Sequence, residues 1–154
     1  MVKRDQLIQF INNVIGADLF TAAEPIDHRA NGVQFFGSDE VSKVALGVSL
    51  NQDFLDAAIQ AKAQFCIFHH GLDLDTNHSL LPTFTQHRLQ TIVENKFTIM
   101  GLHFVLDAHP TLGNNAVIIN KLGAKITVPL LEWGYVGKFA HPQDIETLSQ
   151  RCAD

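Results

Sequence analysis

Two short stretches of the sequence place metal-binding side chains at the end of an apolar run. The first is Phe65-Cys-Ile-Phe-His-His-Gly71, in which two adjacent histidines and a glycine follow the apolar residues. The second, Phe97-Thr-Ile-Met-Gly-Leu102, stops at His103, with Asp107 following and His109 just beyond it. Apolar runs of this length read as buried strands. In open parallel α/β sheets, ligands gather outside the carboxyl ends of the strands. Three imidazoles and a carboxylate at two such ends suit one or two transition-metal ions. The chemistry they would serve is metal-assisted hydrolysis, in which the ion lowers the pKa of a water from roughly 15.7 toward ~7 and polarises the bond under attack.

Geometry limits that reading. Neighbouring side chains on a strand point to opposite faces, so His69 and His70 can serve one site only if the strand ends there. Gly71 permits such a break. Two ions would relax the demand, because each histidine could then take a different metal. His109 could orient a ligand or face solvent at the turn before Pro110. Asp73 and Asp75 could supply a base near the metals, but acidic residues in a polar loop are usually solvated. His28, His78, His87 and His141 read as ordinary surface residues, and Cys66 as a small buried core residue rather than a ligand.

The flanking sequence must supply the elements that hold these ends. Leu7, Phe10, Ile11, Val14 and Ile15 recur at helical spacing over residues 2–15, and Gly16 is placed to stop that helix. A loop rich in turn residues, through Pro25, Asp27 and the Asn31-Gly32 pair, opens into a short strand at 33–36. Residues 43–49 form a near-continuous apolar strand. Asn51 is a good cap for a helix reaching about residue 63, and the strand ending in His69 follows. A polar loop over 71–81 leads to Pro82 and a helix ending near Asn95, then to the strand ending at His103. Strand, helix, strand, helix, strand with short joints predicts a mainly parallel α/β sheet with helices packed on it. A short helix capped by Asn114 or Asn115 comes next. Beyond Gly123 the character changes: residues 126–131 and 133–139 read as strands of another layer, and His141-Pro142 as the start of a last helix. The expected division is therefore an α/β lobe over 1–123 and the beginning of a second lobe over 124–154.

Composition excludes several classes of function. The 154 residues are 46% hydrophobic and 18% charged, with a net charge of -5 and no Lys/Arg block. A packed globular body is expected, without a nucleic-acid-binding or membrane-surface patch. No apolar stretch approaches the ~20 residues that span a bilayer, and the N-terminus reads as helix, not as a signal peptide. Two cysteines make no disulfide framework, which fits reduced thiols in a cytoplasmic setting.

A series of motifs carries a resemblance: Asn31-Gly-Val-Gln34, Phe68-His-His-Gly71, His103 with Asp107-Ala-His-Pro110, Gly113-Asn-Asn-Ala116 and Lys121-Leu-Gly123. In order and spacing it resembles the amino-terminal half of the Nif-three-like family, also described as type 2 homologues of GTP cyclohydrolase I. The resemblance implies a two-lobed α/β protein, assembled as a homohexamer, with a dinuclear centre of divalent metal ions between the lobes. It implies His69, His70, His103 and Asp107 as the ligands in this half, the aspartate bridging the ions. That family completes its centre with a His and, four residues later, a Glu near the end of a second half, and 124–154 supplies no such pair. The second lobe is therefore expected to be truncated at Asp154.

The resulting expectation is a metal-dependent hydrolase of GTP cyclohydrolase I type 2 kind, acting on a nucleotide-like or phosphoester substrate. No separate protein nucleophile is required, and neither a phosphate-binding Gly-rich loop nor a Ser-His-Asp series is present. Three imidazoles and a carboxylate suit Zn, Fe, Mn, Ni or Co alike. The competing expectation is a non-catalytic metal-binding or ring-forming scaffold, which a closed coordination shell would favour.

Overall fold

The structure is a computed structural model and describes residues 1–27, 31–72 and 80–153. Asp73, Asp75, His28 and His78 lie outside the described residues. The chain is mixed α/β and forms two compact units, Met1–His103 and Phe104–Asp154. Among the described residues no helix is long and apolar enough to cross a membrane.

The first unit is built on a four-stranded sheet. Its strands are β2 (Asn31–Phe35), β4 (Val44–Ser49), β5 (Phe65–His70) and β6 (Thr98–Leu102), in the spatial order β2-β6-β5-β4. β4, β5 and β6 run parallel, joined by α3 (Gln52–Ala61) and α4 (Thr83–Glu94), so the expected double crossover is present. The cap on α3 is also the expected one: Asn51 Oδ1 accepts from the Phe54 N–H at 2.8 Å. β2 adds antiparallel on the far side of β6, with Asn31 opposite Leu102. Its pairing partner lies some seventy positions away, which no local pattern announces.

The core forms where α3 and α4 cover one face of the sheet. Cys66, Phe68 and Ile99 from the strands meet Leu55, Ala58 and Ile92 from the helices. Phe68 stands between Gly47 of β4 and Gly101 of β6, so its ring has room beside both neighbours. It meets Phe54 edge-on, ring centroids 4.6 Å apart. A Cβ at Gly47 would stand 2.7 Å from the Phe54 ring and 3.1 Å from that of Phe68, which is why a side chain is excluded there. β4 is an edge strand, and the outer face of its apolar run, Leu46 and Val48, is exposed.

Ahead of the sheet, β1 (Val2–Lys3) pairs antiparallel with β3 (Glu40–Val41), and α1 (Arg4–Ile15) ends at Gly16, whose φ of 98° suits glycine. Ile15 is buried while Phe10 and Val14 are exposed, so the covered stripe of α1 is narrower than its apolar periodicity. The expected loop after it is instead α2 (Ala17–Asp27), with Pro25 inside the helix. Pro25 supplies no N–H for the Thr21 carbonyl, but the helix runs only two residues beyond it, and Ala22 and Ala23 favour helix. The helix consequently carries Asp27 to the start of β2.

In the second unit, α5 (Phe104–Asp107) and α6 (Asn114–Lys121) precede a hairpin of β7 (Lys125–Leu130) and β8 (Gly134–Lys138), and α6 packs on both strands. Phe104 stacks on Trp133 at 5.0 Å, and the Tyr135 hydroxyl donates to the Ala108 carbonyl. The last helix, α7 (Ile145–Ala153), starts later than Pro142 predicts, because Asp144 caps it: its Oδ1 accepts from the Thr147 N–H at 2.8 Å. The Thr147 hydroxyl, which donates to Oδ2 at 2.7 Å, and the Thr147 N–H hold the Asp144 carboxyl below the usual carboxylate range. Arg151 Nη1 donates to the Leu122 carbonyl and ties α7 to the end of α6.

Both cysteines are free. Burial pushes the Cys66 thiol up to about 12, whereas Cys152 is exposed. Because the thiolate is the reactive form, a chromogenic disulfide reagent should titrate about one thiol per native chain and the second only after denaturation. Equal rates for both thiols in the native protein would contradict the buried position of Cys66.

Candidate metal centre

The two strand ends converge. His69 and His70 close β5, and His103 follows β6 directly. Each of the three residues offers a ligand atom within 4.8 Å of the others, and His70 is the most exposed of them. Ring centroids lie 4.6 Å apart for His69 and His70, 4.7 Å for His69 and His103, and 5.3 Å for His70 and His103. Adjacent strand residues should diverge. These rings stay together because β5 stops at His70, where the His70 carbonyl accepts from the Leu50 N–H at 2.8 Å.

Each ring is held through Nδ1. His69 Nδ1 meets the Leu102 carbonyl at 3.1 Å, His70 Nδ1 meets Ser49 Oγ at 2.8 Å, and His103 Nδ1 meets Asp27 Oδ2 at 3.0 Å. A carbonyl and a carboxylate only accept, so His69 and His103 carry their proton on Nδ1. Their lone pair then falls on Nε2. Metal-ligating histidines characteristically have one ring nitrogen engaged in this way, which fixes tautomer and orientation.

The segment Asn31-Gly-Val-Gln34 positions both ends at once. Asn31 Oδ1 accepts from the His103 backbone N–H at 2.8 Å, and its Nδ2 donates to Asp27 Oδ2 at 2.8 Å. Gln34 clamps the chain just past His70: Oε1 accepts from the Leu72 N–H at 2.8 Å and Nε2 donates to the Leu72 carbonyl at 2.9 Å. Gly71 leaves space for this clamp, since a Cβ there would stand 2.0 Å from Gln34 Oε1. Asp27, Asn31, Gln34 and Ser49 thus hold the candidate site in place, a role that sequence reasoning did not assign to them. The Asn31–Gln34 motif was the available signal, without a role attached to it.

Asp107 lies in the second unit, at the end of α5, where Asn114 Nδ2 donates to its Oδ1 at 2.9 Å. His109, read as ligand-orienting or solvent-facing, is buried, and its Nδ1 accepts from the backbone N–H of Leu112 at 3.0 Å and of Thr111 at 3.3 Å. That bonding holds the turn before α6. His87 and His141 lie in exposed positions on or near the surface, and His87 Nδ1 pairs with Gln52 Oε1 at 2.9 Å. Cys66 is a core residue.

The donor set fits a divalent ion. Two imidazole nitrogens on one tetrahedral ion, each at ~2.0–2.1 Å, are roughly 3.3 Å apart. The 4.8 Å bound on the triad exceeds that spacing by about 1.5 Å, so the rings would draw together around an ion. Borderline nitrogen donors suit Zn, Fe, Mn, Ni and Co, and nothing in the triad selects among them.

The description Duf34/NIF3 (NGG1p interacting factor 3) matches residues 2–154. The chain belongs to the DUF34/NIF3 family. Curated relatives called GTP cyclohydrolase 1 type 2 homolog include that of Salmonella typhimurium LT2, 36% identical over 138 residues, which are 86% of this chain and 53% of the relative. The Escherichia coli K12 protein of the same description is 35% identical over the same shares. This NIF3 chain therefore spans about half the length of the curated relatives it matches. Among solved structures, a protein described as ybgI, of unknown function, superposes with a TM-score of 0.83 at 30% identity, covering 97% of this chain and 59% of that one. TTHA1606 from Thermus thermophilus gives 0.82 at 27% identity, covering 97% and 60%. The mostly parallel α/β sheet is thus that of NIF3-family proteins.

Proposed function

We propose that this NIF3-family chain binds divalent metal ions through His69, His70 and His103, with Asp107 as a further ligand, and serves metal-dependent hydrolysis. What supports the reading most is the convergence of three imidazoles, each with Nδ1 engaged by a different group. The family resemblance adds a second ion, a bridging role for Asp107 and a homohexameric assembly, and the two free cysteines fit a cytoplasmic setting. When bound, such ions supply Lewis acidity and shift the pKa of water toward ~7.

The chain's own contribution is orientation. Leu102 and Asp27 hold the protons of His69 and His103 on Nδ1, and Gln34 and Asn31 anchor the backbone that carries the rings. The proposed substrate is nucleotide-like or a phosphoester. The reading is tested by loading the purified chain with Zn, Mn, Fe, Co or Ni and measuring hydrolysis of nucleoside triphosphates and phosphodiesters. Metal-dependent turnover that disappears with His69→Ala is the expected result. Stoichiometric metal without turnover in any combination would replace the hydrolase with a metal-binding scaffold.

A further inference from the structure

His103 Nδ1 bonds to a carboxylate, that of Asp27, whereas His69 Nδ1 meets a carbonyl and His70 Nδ1 a hydroxyl. The Asp27 side chain is 13% exposed and that of His103 24%, so the pair is partly shielded from water. Asp27 Oδ2 accepts from both His103 Nδ1 and Asn31 Nδ2, Asn31 Nδ2 also donates to the Asp27 backbone carbonyl, and Asn31 Oδ1 accepts from the His103 N–H. The four bonds close a ring that fixes backbone and side chain of His103 together. By contrast, the Ser49 hydroxyl beside His70 can donate or accept, so it does not decide the His70 tautomer. The Leu102 carbonyl fixes that of His69 but carries no charge.

We propose that Asp27 is a positioning residue: its carboxylate keeps the His103 proton on Nδ1, turns Nε2 toward the triad and makes His103 the anchoring donor, with His70 the adjustable one. The inference rests on the reading of the triad as metal ligands. A carboxylate in this place fixes the tautomer and orientation of the ring it touches. Free histidine favours the opposite tautomer, with its proton on Nε2, so losing the acceptor would return His103 toward a form that presents no lone pair to the gap.

The test uses the whole chain, labelled with 15N-histidine and free of metal, at about pH 8, where ordinary imidazoles are neutral. Long-range 1H–15N correlation spectra report which ring nitrogen holds the proton. Wild-type His103 is expected to show the Nδ1–H pattern and Asp27→Ala a shift toward Nε2–H. Asp27→Asn, which keeps an oxygen acceptor without the charge, should retain the pattern. Cobalt(II) affinity should fall about 10- to 100-fold in Asp27→Ala, in line with loss of groups that orient ligands, and less in Asp27→Asn. A wild-type His103 protonated mainly on Nε2, or cobalt affinities of both variants within about twofold of wild type, would overturn the inference. Absence of cobalt binding by wild type would instead defeat the metal reading, while the tautomer spectra still decide the role of Asp27. If Asp27→Ala fails to fold, the wild-type spectrum and Asp27→Asn carry the test.

Discussion

A chain carrying His103→Ala should bind cobalt(II) or zinc at least about 100-fold more weakly than wild type in competition with a chromophoric chelator. The substitution removes one of three imidazole donors. The loss should therefore exceed the ~10- to 100-fold typical when only a ligand's hydrogen-bond partner is removed. It also deprives Asp27 of the ring nitrogen that donates to it. The fold should survive, because the His103 side chain is part-exposed and its backbone N–H still donates to Asn31. His69→Ala should behave similarly. His70→Ala should cost less, since His70 is the exposed member and its neighbour is a hydroxyl. His87→Ala, on α4 and paired with Gln52, serves as the control and should leave affinity unchanged. An affinity of His103→Ala within about twofold of wild type would separate metal binding from the triad.

Phe68→Ala should destabilise the protein by about 3–5 kcal/mol. Phe68 is 1% exposed, sits between two glycine-bearing strands and meets the Phe54 ring edge-on. Gly47 and Gly101 have no side chain with which to refill the space. The cavity should therefore persist, placing the cost toward the upper part of that range. Domains of this size are stable by only ~5–15 kcal/mol, so the change removes a large fraction of the total. At about 2–4 °C per kcal/mol for a chain of this length, the melting midpoint should fall by roughly 6–20 °C. Because Phe68 immediately precedes His69, metal affinity should decline with it. A midpoint within about 2 °C of wild type would mean that β5 is not packed as described, and thermal unfolding followed by circular dichroism decides it.

The parallel part of the sheet was legible because its signals are local. Apolar runs ending at His70 and Leu102, a cap at Asn51 and a proline at 82 mark β4 through β6 without reference to distant residues. The convergence of His69, His70 and His103 followed from placing strand ends at one edge of that sheet. What was not legible depends on contacts across the chain. Pro25 and Asp27 read as turn residues, yet the helix formers before them carry α2 through to Asp27. The antiparallel seat of β2 depends on pairing with β6. The roles of Asp27, Asn31 and Gln34 are set by partners 38 to 76 positions away. His109 lies inside a metal-like motif, but its Nδ1 serves the turn that follows it.

Extended X-ray absorption at the cobalt or zinc edge, on the chain loaded with about one equivalent of metal, tests most directly whether these imidazoles are ligands. Multiple-scattering features from two or three imidazoles, with metal–nitrogen distances near 2.0–2.1 Å and loss of those features in the His69→Ala, His103→Ala double variant, are the predicted result. A shell of oxygen donors alone, or an imidazole signal unchanged by the double variant, would contradict it.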